Sequence, residues 1–122
     1  MECVPFEILK GKILQSINKI INFDGNDELH FKISDDEIYK MYHRQDCCEN
    51  VNIEDICGDL DDLIGSEILI AREDTESDES EDGDSTWTWT FYNLSTIKSS
   101  VTIRWYGSSN GYYSESVELY RC

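Results

Sequence analysis

The sequence predicts an α+β fold that is mostly antiparallel β, with two loosely repeated three-stranded units around one core and one short helix near residues 54–64. Apolar and polar side chains alternate along several segments, which is typical of strands with one buried face. Short turn sequences separate these segments, and a motif near residue 9 recurs near residue 63. With 122 residues the chain has the length of one domain, so we expect residues 1–122 to share a single core.

The first half of the chain predicts a strand and then a hairpin. The segment 12–20 carries isoleucines three or four residues apart, which fits either a strand with a bulge or one helical face. Its β-branched residues and the preceding glycine favour the strand. Apolar residues alternate over 29–33, Asp35-Asp36 suits a tight turn, and residues 38–42 suit the returning strand. We therefore expect a hairpin over 29–42.

The middle of the chain predicts shorter elements. Residues 51–55 fit either a short strand or the lead into a helix. The segment 59–64, DLDDLI, offers one or two helical turns, with acids at its start and Gly65 as its stop. Residues 68–71 are apolar and predict a strand.

The segment 86–94 has the strictest alternation in the chain. One side of this strand carries Trp87, Trp89 and Phe91, and the other carries Thr88, Thr90 and Tyr92. Because aromatic side chains bury the most apolar area, we expect the tryptophan side to face the core.

The C-terminal segment predicts a second hairpin. Its apolar faces are formed by Val101, Ile103 and Trp105 on one strand and by Val117 and Leu119 on the other. A three-residue loop over 109–111, with Gly111 left-handed in a bulge, pairs Ile103 with Val117 and Val101 with Leu119. The opposite face of this hairpin would then present Arg104, Tyr106, Ser114, Ser116 and Glu118.

A faint internal repeat organises these elements. The segment 9–14, LKGKIL, recurs loosely as 63–69, LIGSEIL, and each copy precedes a pair of strands joined by a turn. This predicts two antiparallel meanders that close on one core, with an acidic segment in the second unit replacing the shorter linker 22–27 of the first.

The charge is concentrated in one third of the chain. The formal net charge is -16, from 26 acidic and 10 basic residues. Residues 46–84 contain 16 acids and one base, whereas the other 83 residues contain 10 acids and nine bases. This acidity argues against direct contact with nucleic acid or an anionic membrane, and it favours a basic protein partner.

The densest part of this charge is the segment 73–84, EDTESDESEDGD, which has no apolar side chain. We expect a flexible, solvated surface loop, because nothing in it can be buried and its charges repel one another. It is either a tolerated, solubilising insertion or a functional surface, such as a mimic of a phosphate backbone or a sink for divalent cations. The candidate contact residues are Glu73, Asp74, Glu76, Asp78, Glu79, Glu81, Asp82 and Asp84.

We expect neither a targeting sequence nor disulfide bonds in this protein. The N-terminus lacks a basic region followed by a long apolar run, and no segment approaches the ~20 apolar residues of a membrane span. The five cysteines are an odd number without a secretory signal, so we expect reduced thiols in a soluble, unsecreted protein.

The segment 43–57 contains the weak candidates for a metal site, which are His43, Asp46, Cys47, Cys48 and Cys57. Their spacing is poor for zinc, because there is no Cys-x-x-Cys and adjacent cysteines on a strand point to opposite faces. Buried thiols and a polar bend are the simpler interpretation. We expect no metal, no cofactor and no catalytic residue, since the chain also lacks a recognisable nucleophile motif or phosphate loop.

The segment 107–116 suits recognition better than catalysis. It concentrates Gly, Ser, Asn and Tyr, which provide adaptable hydrogen bonds and rigid contact area in binding loops, although Asn110-Gly111 also suits a plain turn. The candidate binding residues are Arg104, Tyr106, Asn110, Tyr112, Tyr113, Ser114 and Ser116. Their ligand would be a protein or a small anionic molecule.

Four motifs together resemble an uncharacterised family found mainly in bacteriophage and other viral genomes. They are HRQDCCENV at 43–51, GDLDDLIG at 58–65, WTWTFY at 87–92 and VTIRWYGSSNGYYSESV at 101–117. The resemblance covers roughly residues 9–119, and it implies a viral context and a small stable fold without implying an activity.

We therefore expect a non-enzymatic viral accessory protein in the host cytoplasm. It would bind a host or viral macromolecule, for instance as an inhibitor of a host defence factor. Two alternatives stay open: a domain that binds or sequesters a nucleotide signal, and a metal-dependent enzyme centred on residues 43–57.

Overall fold

Two antiparallel sheets make up the fold, in a computed structural model that describes residues 1–122. The strands are β1 (Glu2–Val4), β2 (Ser16–Ile21), β3 (Asp27–Ser34), β4 (Glu37–Tyr42), β5 (Asn50–Cys57), β6 (Ile70–Glu79), β7 (Thr86–Ser95), β8 (Ser100–Ser109) and β9 (Glu118–Arg121). Sheet 1 has the order β1-β9-β4-β3-β2, and sheet 2 has the order β5-β8-β7-β6. The predicted, mostly antiparallel β fold is confirmed.

The predicted short helix is a single 3-10 turn, Leu60–Leu63, and a second such turn covers Phe6–Leu9. The side chain of Asp59 caps the turn by accepting a hydrogen bond from the Asp61 N–H at 3.0 Å. Residues 51–55 belong to β5, so the strand interpretation of that segment is correct. Neither helical turn has the length or the apolar character that crossing a membrane requires.

Two reciprocal hydrogen bonds join the two segments of the predicted internal repeat. The N–H of Gly11 donates to the Ile68 carbonyl at 2.7 Å, and the N–H of Gly65 donates to the Leu14 carbonyl at 3.0 Å. Gly11 and Gly65 are counterparts in the predicted repeat, and when the two segments are aligned without a gap Leu14 corresponds to Ile68. Ile13 forms an antiparallel bridge with its own counterpart, Glu67. The segments 9–14 and 63–69 therefore lie side by side between the two sheets' meanders.

Each sheet is built around one meander, β2-β3-β4 in sheet 1 and β6-β7-β8 in sheet 2. The predicted hairpin over 29–42 is confirmed, since β3 and β4 pair around Asp35-Asp36. The predicted strand over 12–20 is confirmed only from Ser16 onward. Of its isoleucines only Ile17 is buried, because sheet 1 ends at β2 and leaves Ile20 exposed at its edge.

The predicted C-terminal hairpin is wrong. Strand β8 pairs with β5 and β7, and the chain then crosses from sheet 2 to sheet 1 through residues 110–117, which we call the crossover segment. Strand β9 inserts between β1 and β4. Ile103 and Leu119 do share the core, but they enter it from opposite sheets. In these two strands the apolar pattern determines which face is buried, and it leaves the partner strand undetermined.

The core lies between the two sheets and along the two 3-10 turns. Its largest fully buried side chains are Trp105, Tyr39, Tyr92, Phe31, Leu9, Leu14, Leu29, Met41, Leu63, Ile68, Leu94 and Ile103. The indole N–H of Trp105 points to the Met41 sulfur at 3.3 Å, so its one donor is not left unpaired.

The predicted orientation of the tryptophan strand is wrong. Thr90, Tyr92 and Leu94 face the core, whereas the side with Trp87 and Trp89 is half-buried on the outer face of sheet 2. Tyr92 enters the core because its hydroxyl donates to the Val117 carbonyl at 3.0 Å, which satisfies the one polar atom of a large aromatic side chain.

The predicted acidic loop is also wrong over most of its length. Strand β6 pairs with β7 residue by residue, from Ile70 opposite Ser95 to Glu79 opposite Thr86. Only 80–85 form the turn between them. The partner strand supplies main-chain hydrogen bonds and cross-strand side-chain neighbours, so a segment without apolar residues can still form a strand.

Candidate functional site

The second hairpin is longer than its counterpart in the first unit, and this difference creates a cleft. Ser16 pairs with Lys32, 16 positions later, whereas its counterpart Ile70 pairs with Ser95, 25 positions later. The far end of the β6–β7 hairpin therefore meets the crossover segment instead of a complete second sheet. The extension leaves an inner sheet face that is only partly covered.

The resulting cavity has a volume of about 680 Å³, and we call it the acidic cleft. Its lining residues are Glu73, Thr75, Ser77, Asp78, Glu79, Thr86, Trp87, Thr88, Thr90, Tyr113, Ser114, Glu115, Ser116 and Val117. Four carboxylates, many hydroxyls and two aromatic rings line it, and no Lys, Arg or His does. Such a lining favours a positively charged ligand.

Glu115 holds the crossover segment against the hairpin. Its Oε2 accepts hydrogen bonds from the hydroxyls of Ser109 at 2.5 Å and Thr86 at 2.6 Å, and its Oε1 accepts one from Thr88 at 2.8 Å. Hydrogen bonds to a charged acceptor are stronger than neutral ones. One wall of the cleft is therefore fixed in place before any ligand binds.

Gly107 permits the close approach of this wall. A Cβ atom at Gly107 would lie 2.9 Å from the Cβ of Glu115 and 3.1 Å from a methyl group of Val51. Any side chain here would push the crossover segment away from β8, so the glycine is needed for packing.

Glu73 lies at the core end of the cleft in an environment that disfavours its charge. Partial burial raises the pKa of its carboxyl, and the nearby carboxylates of Glu7 and Glu118 raise it further. A bound cation would relieve this repulsion, so this end of the cleft is suited to a positive group.

A second cavity of about 320 Å³ lies across the crossover segment from the acidic cleft, and Ser114 and Ser116 line both. The buried His43 donates from Nδ1 to the Ser116 carbonyl at 2.6 Å, and its Nε2 lies 3.3 Å from Oε2 of the buried Glu49. These contacts tie the loop after β4 to the crossover segment.

Glu49 is a structural acid in this cluster. Burial raises its pKa, but hydrogen bonds from the N–H groups of Cys47 and Asp46 outweigh this and hold the pKa below its ordinary value. The side chain of Gln45 also donates to it at 2.8 Å. Because donors of residues 45–47 bind its carboxylate, Glu49 orders the loop after β4.

The weak metal candidates do not come together. A disulfide joins Cys47 to its neighbour Cys48, so these two cysteines are neither reduced nor on opposite faces as we expected. Cys57 is exposed near the end of β5, and His43 is engaged with Glu49. No three His, Cys, Asp or Glu side chains are grouped so that they could hold a metal ion.

The predicted binding residues lie in three different places in the structure. Tyr113, Ser114 and Ser116 line the acidic cleft. Arg104 and Tyr106 alternate with the buried residues of β8 and so lie on the opposite face, where Arg104 Nε pairs with Glu54 at 2.8 Å. Asn110 and Tyr112 are exposed in the bend after β8, where Gly111 has the predicted left-handed φ of 88°.

The predicted acidic contacts are divided in the same way. Glu73 and Glu79 line the acidic cleft, Asp74, Glu76 and Asp78 alternate with them on the outer face of β6, and Glu81, Asp82 and Asp84 lie in the turn 80–85. Asp78, near the end of the strand, borders the cleft as well. Asp82 stabilises that turn by accepting from the Ser80 hydroxyl at 2.6 Å and the Asp84 N–H at 3.1 Å.

Sequence reasoning missed the residues that shape the cleft most directly, Thr86, Thr88 and Glu115. The alternation of β7 contained the signal, because its threonines share one face with Tyr92 and Leu94. Assigning the tryptophans to the core placed these hydroxyls in solvent, so the cleft was not expected.

Fold and site together define a β protein of two sheets with an acidic, hydroxyl-lined cleft at the far end of one hairpin. Residues 7–119 match the family described as Domain of unknown function (DUF7448), and the chain belongs to this family. The predicted membership of an uncharacterised family is thereby confirmed. Searches of curated proteins and of solved structures found no match.

Proposed function

We propose that this protein is a non-enzymatic binding domain whose acidic cleft takes a basic segment of a protein partner. The observation that carries the proposal is the cleft itself, in which carboxylates from both walls converge and no cationic side chain neutralises them. Fixed negative charge in a concave site attracts cationic ligands and speeds their association. It also disfavours a nucleotide, whose phosphates the same carboxylates would repel.

The setting that we propose is viral. The motif resemblance supports an accessory protein of a phage or another virus, acting in the host cytoplasm. The local concentration of acid supports a basic target, such as a host defence factor with a positively charged channel. Counter-defence by occupying such a channel is the specific role that we propose.

Binding of a fluorescent Lys/Arg-rich peptide to the full chain tests the cleft. The double variant Glu73→Gln/Glu79→Gln removes two charges from the cleft lining, and Asp61→Asn/Asp62→Asn removes two from exposed positions at the 3-10 turn. We expect the first to weaken binding about fivefold, which corresponds to two partly screened charge contacts, and the second to have little effect. Fluorescence anisotropy gives both dissociation constants.

Salt dependence completes this test. Raising the salt from ~0.05 to ~0.5 M should weaken binding by the wild type, because the Debye length falls well below the dimensions of the cleft. If the two double variants lose the same amount of affinity, binding depends only on net charge. If affinity does not change with salt, the contact is not electrostatic. Either result would overturn the proposed use of the cleft.

A further inference from the structure

The outer face of sheet 2 pairs acidic with aromatic side chains across two strands. Glu76 on β6 lies opposite Trp89 on β7, and Asp78 lies opposite Trp87. Trp89 also packs against Tyr106 of β8, with ring centroids 5.2 Å apart. An outward sheet face is ordinarily polar, so two half-exposed indoles beside carboxylates are unusual there.

No cation of the chain occupies either acid–indole pair, because the two arginines on this face are held elsewhere, Arg72 by Asp74 at 3.5 Å and Arg104 by Glu54 at 2.8 Å. The cation–π contacts of the molecule are all made to tyrosines of sheet 1, at Tyr39, Tyr42 and Tyr120. Glu76 and Asp78 take part in no ion pair, whereas Arg104 is held by Glu54. Both the rings and the carboxylates are therefore available to a positive group from outside.

We propose that this face binds arginine side chains from an extended segment of the basic partner, one at each acid–indole pair. A guanidinium stacks on an indole face while donating hydrogen bonds to a neighbouring carboxylate. This inference rests on the proposed function in one respect, that the partner is basic. It adds a second surface on the other face of the hairpin, where Asp78 and Trp87 also border the acidic cleft and Glu76 and Trp89 do not.

Strand geometry specifies the spacing of those arginines. Trp87 and Trp89 are two residues apart on one strand, so the two pairs are separated by about 6.8 Å. Alternate side chains of an extended peptide have the same spacing, and they point to the same side. The matching sequence is therefore Arg-x-Arg.

The charge of this face favours an arginine-rich segment over a second copy of this chain and over a nucleic acid. A second copy of this chain would bring its own net charge of -16 to an acidic surface, and a nucleic acid would bring phosphates. An arginine-rich protein segment complements both the rings and the carboxylates.

Two peptides of equal composition test the spacing, one with arginine alternating with serine and one with the arginines in a block. We expect the alternating peptide to bind the full chain about fivefold more tightly. In two-dimensional NMR the indole N–H signals of Trp87 and Trp89 should shift on binding, and the shift of Trp89, which does not line the acidic cleft, reports on the outer face. The signal of Trp105, which is 1% exposed, should stay in place as an internal control.

Variants separate this surface from the acidic cleft. Trp89→Leu should remove the preference for the alternating peptide, and Glu76→Gln, which does not touch the cleft, should reduce it even if Trp89→Leu fails to fold. If Glu73→Gln/Glu79→Gln weakens binding while both outer-face variants bind as the wild type does, the cleft stands and the outer-face site is overturned. The reverse pattern would support the outer face and overturn the cleft. Equal affinity for the two peptides would overturn the Arg-x-Arg spacing.

Discussion

Glu28 and Glu49 are buried as carboxylates in a strongly acidic protein. Glu28 is 5% exposed and lies 2.9 Å from both the Asn22 amide and the His30 ring, with Lys40 at 3.4 Å. Burial raises the pKa of Glu28, but these donors outweigh it and lower the pKa below its ordinary value, as also happens at Glu49. Each folded carboxylate is therefore favoured in its charged form.

The contribution of Glu49 to stability should depend on pH in a defined direction. A folded-state pKa below the ordinary value of 4.5 means that the stabilisation is fully present above that pH and is lost as the pH falls through the folded pKa. Replacement by glutamine should cost about 1–3 kcal/mol in the free energy of unfolding at pH 7, because buried donors lose a charged acceptor.

Urea unfolding of wild type and Glu49→Gln across pH 3–7 measures this difference. The two curves should converge below pH 4.5, where the wild-type carboxyl becomes neutral as well. Asp61→Asn, at an exposed acid, is the control and should change stability little at any pH. A gap between wild type and Glu49→Gln that is constant over the whole range would contradict the assignment.

Single residues with a local requirement were predictable from the sequence. Gly65 follows the helical turn with a φ of 86°, and Gly111 follows β8 with a φ of 88°, as the turn sequences indicated. Gly107 was not predictable, because its reason is the approach of Glu115 from another part of the chain.

At the scale of elements, the alternation of apolar and polar residues predicted which segments are strands. It did not predict which face of a strand is buried. The alternation in β7 predicts a strand correctly, yet both of its faces carry aromatic rings. The buried face is the one with Tyr92 and Leu94, which lie opposite Ile103 and Val101 of β8. Only the pairing with β8 shows which face meets the core.

We expect that the long β6–β7 hairpin can be shortened without unfolding the rest of the protein. In the second unit Thr75 and Thr90 are paired as Ile21 and Asp27 are in the first. Replacing residues 76–89 by the five residues 22–26 would therefore rebuild the shorter hairpin. We expect a folded protein without the cleft and without Trp87 and Trp89, because the buried residues of sheet 2 lie outside the replaced segment.

Circular dichroism and thermal unfolding check the fold of this shortened chain, and peptide anisotropy checks its binding. It should unfold cooperatively and show no measurable affinity for a basic peptide. A matched control retains the hairpin and replaces only the turn residues 80–85 with a neutral turn, which should preserve most of the affinity. Full binding by the shortened chain would show that the ligand contacts another surface.

At the scale of the whole molecule, the net charge of -16 should affect stability and binding in opposite directions. Self-repulsion among crowded carboxylates opposes folding, and salt screens it. The midpoint of thermal unfolding should therefore rise as NaCl increases from ~10 to ~200 mM, while affinity for a basic peptide falls.

Differential scanning fluorimetry and anisotropy over one salt series measure both trends. The shortened chain loses all six acids of residues 76–84 and gains one from the inserted copy of residues 22–26, so its unfolding midpoint should respond less to salt. A midpoint that falls with salt in both proteins would mean that favourable ion pairs, such as Arg104 with Glu54, outweigh the repulsion.

The sequence by itself determined the β fold, the positions of most strands and the concentration of acid in one third of the chain. These features follow from the period of apolar residues, from turn residues and from composition, which are local properties. Only the tertiary structure decided that β9 inserts between β1 and β4, that the acidic segment is a strand, and that Tyr92 instead of Trp89 faces the core. The physical reason is that pairing and burial depend on segments far apart in the chain, and the acidic cleft exists only where the longer hairpin meets the crossover segment.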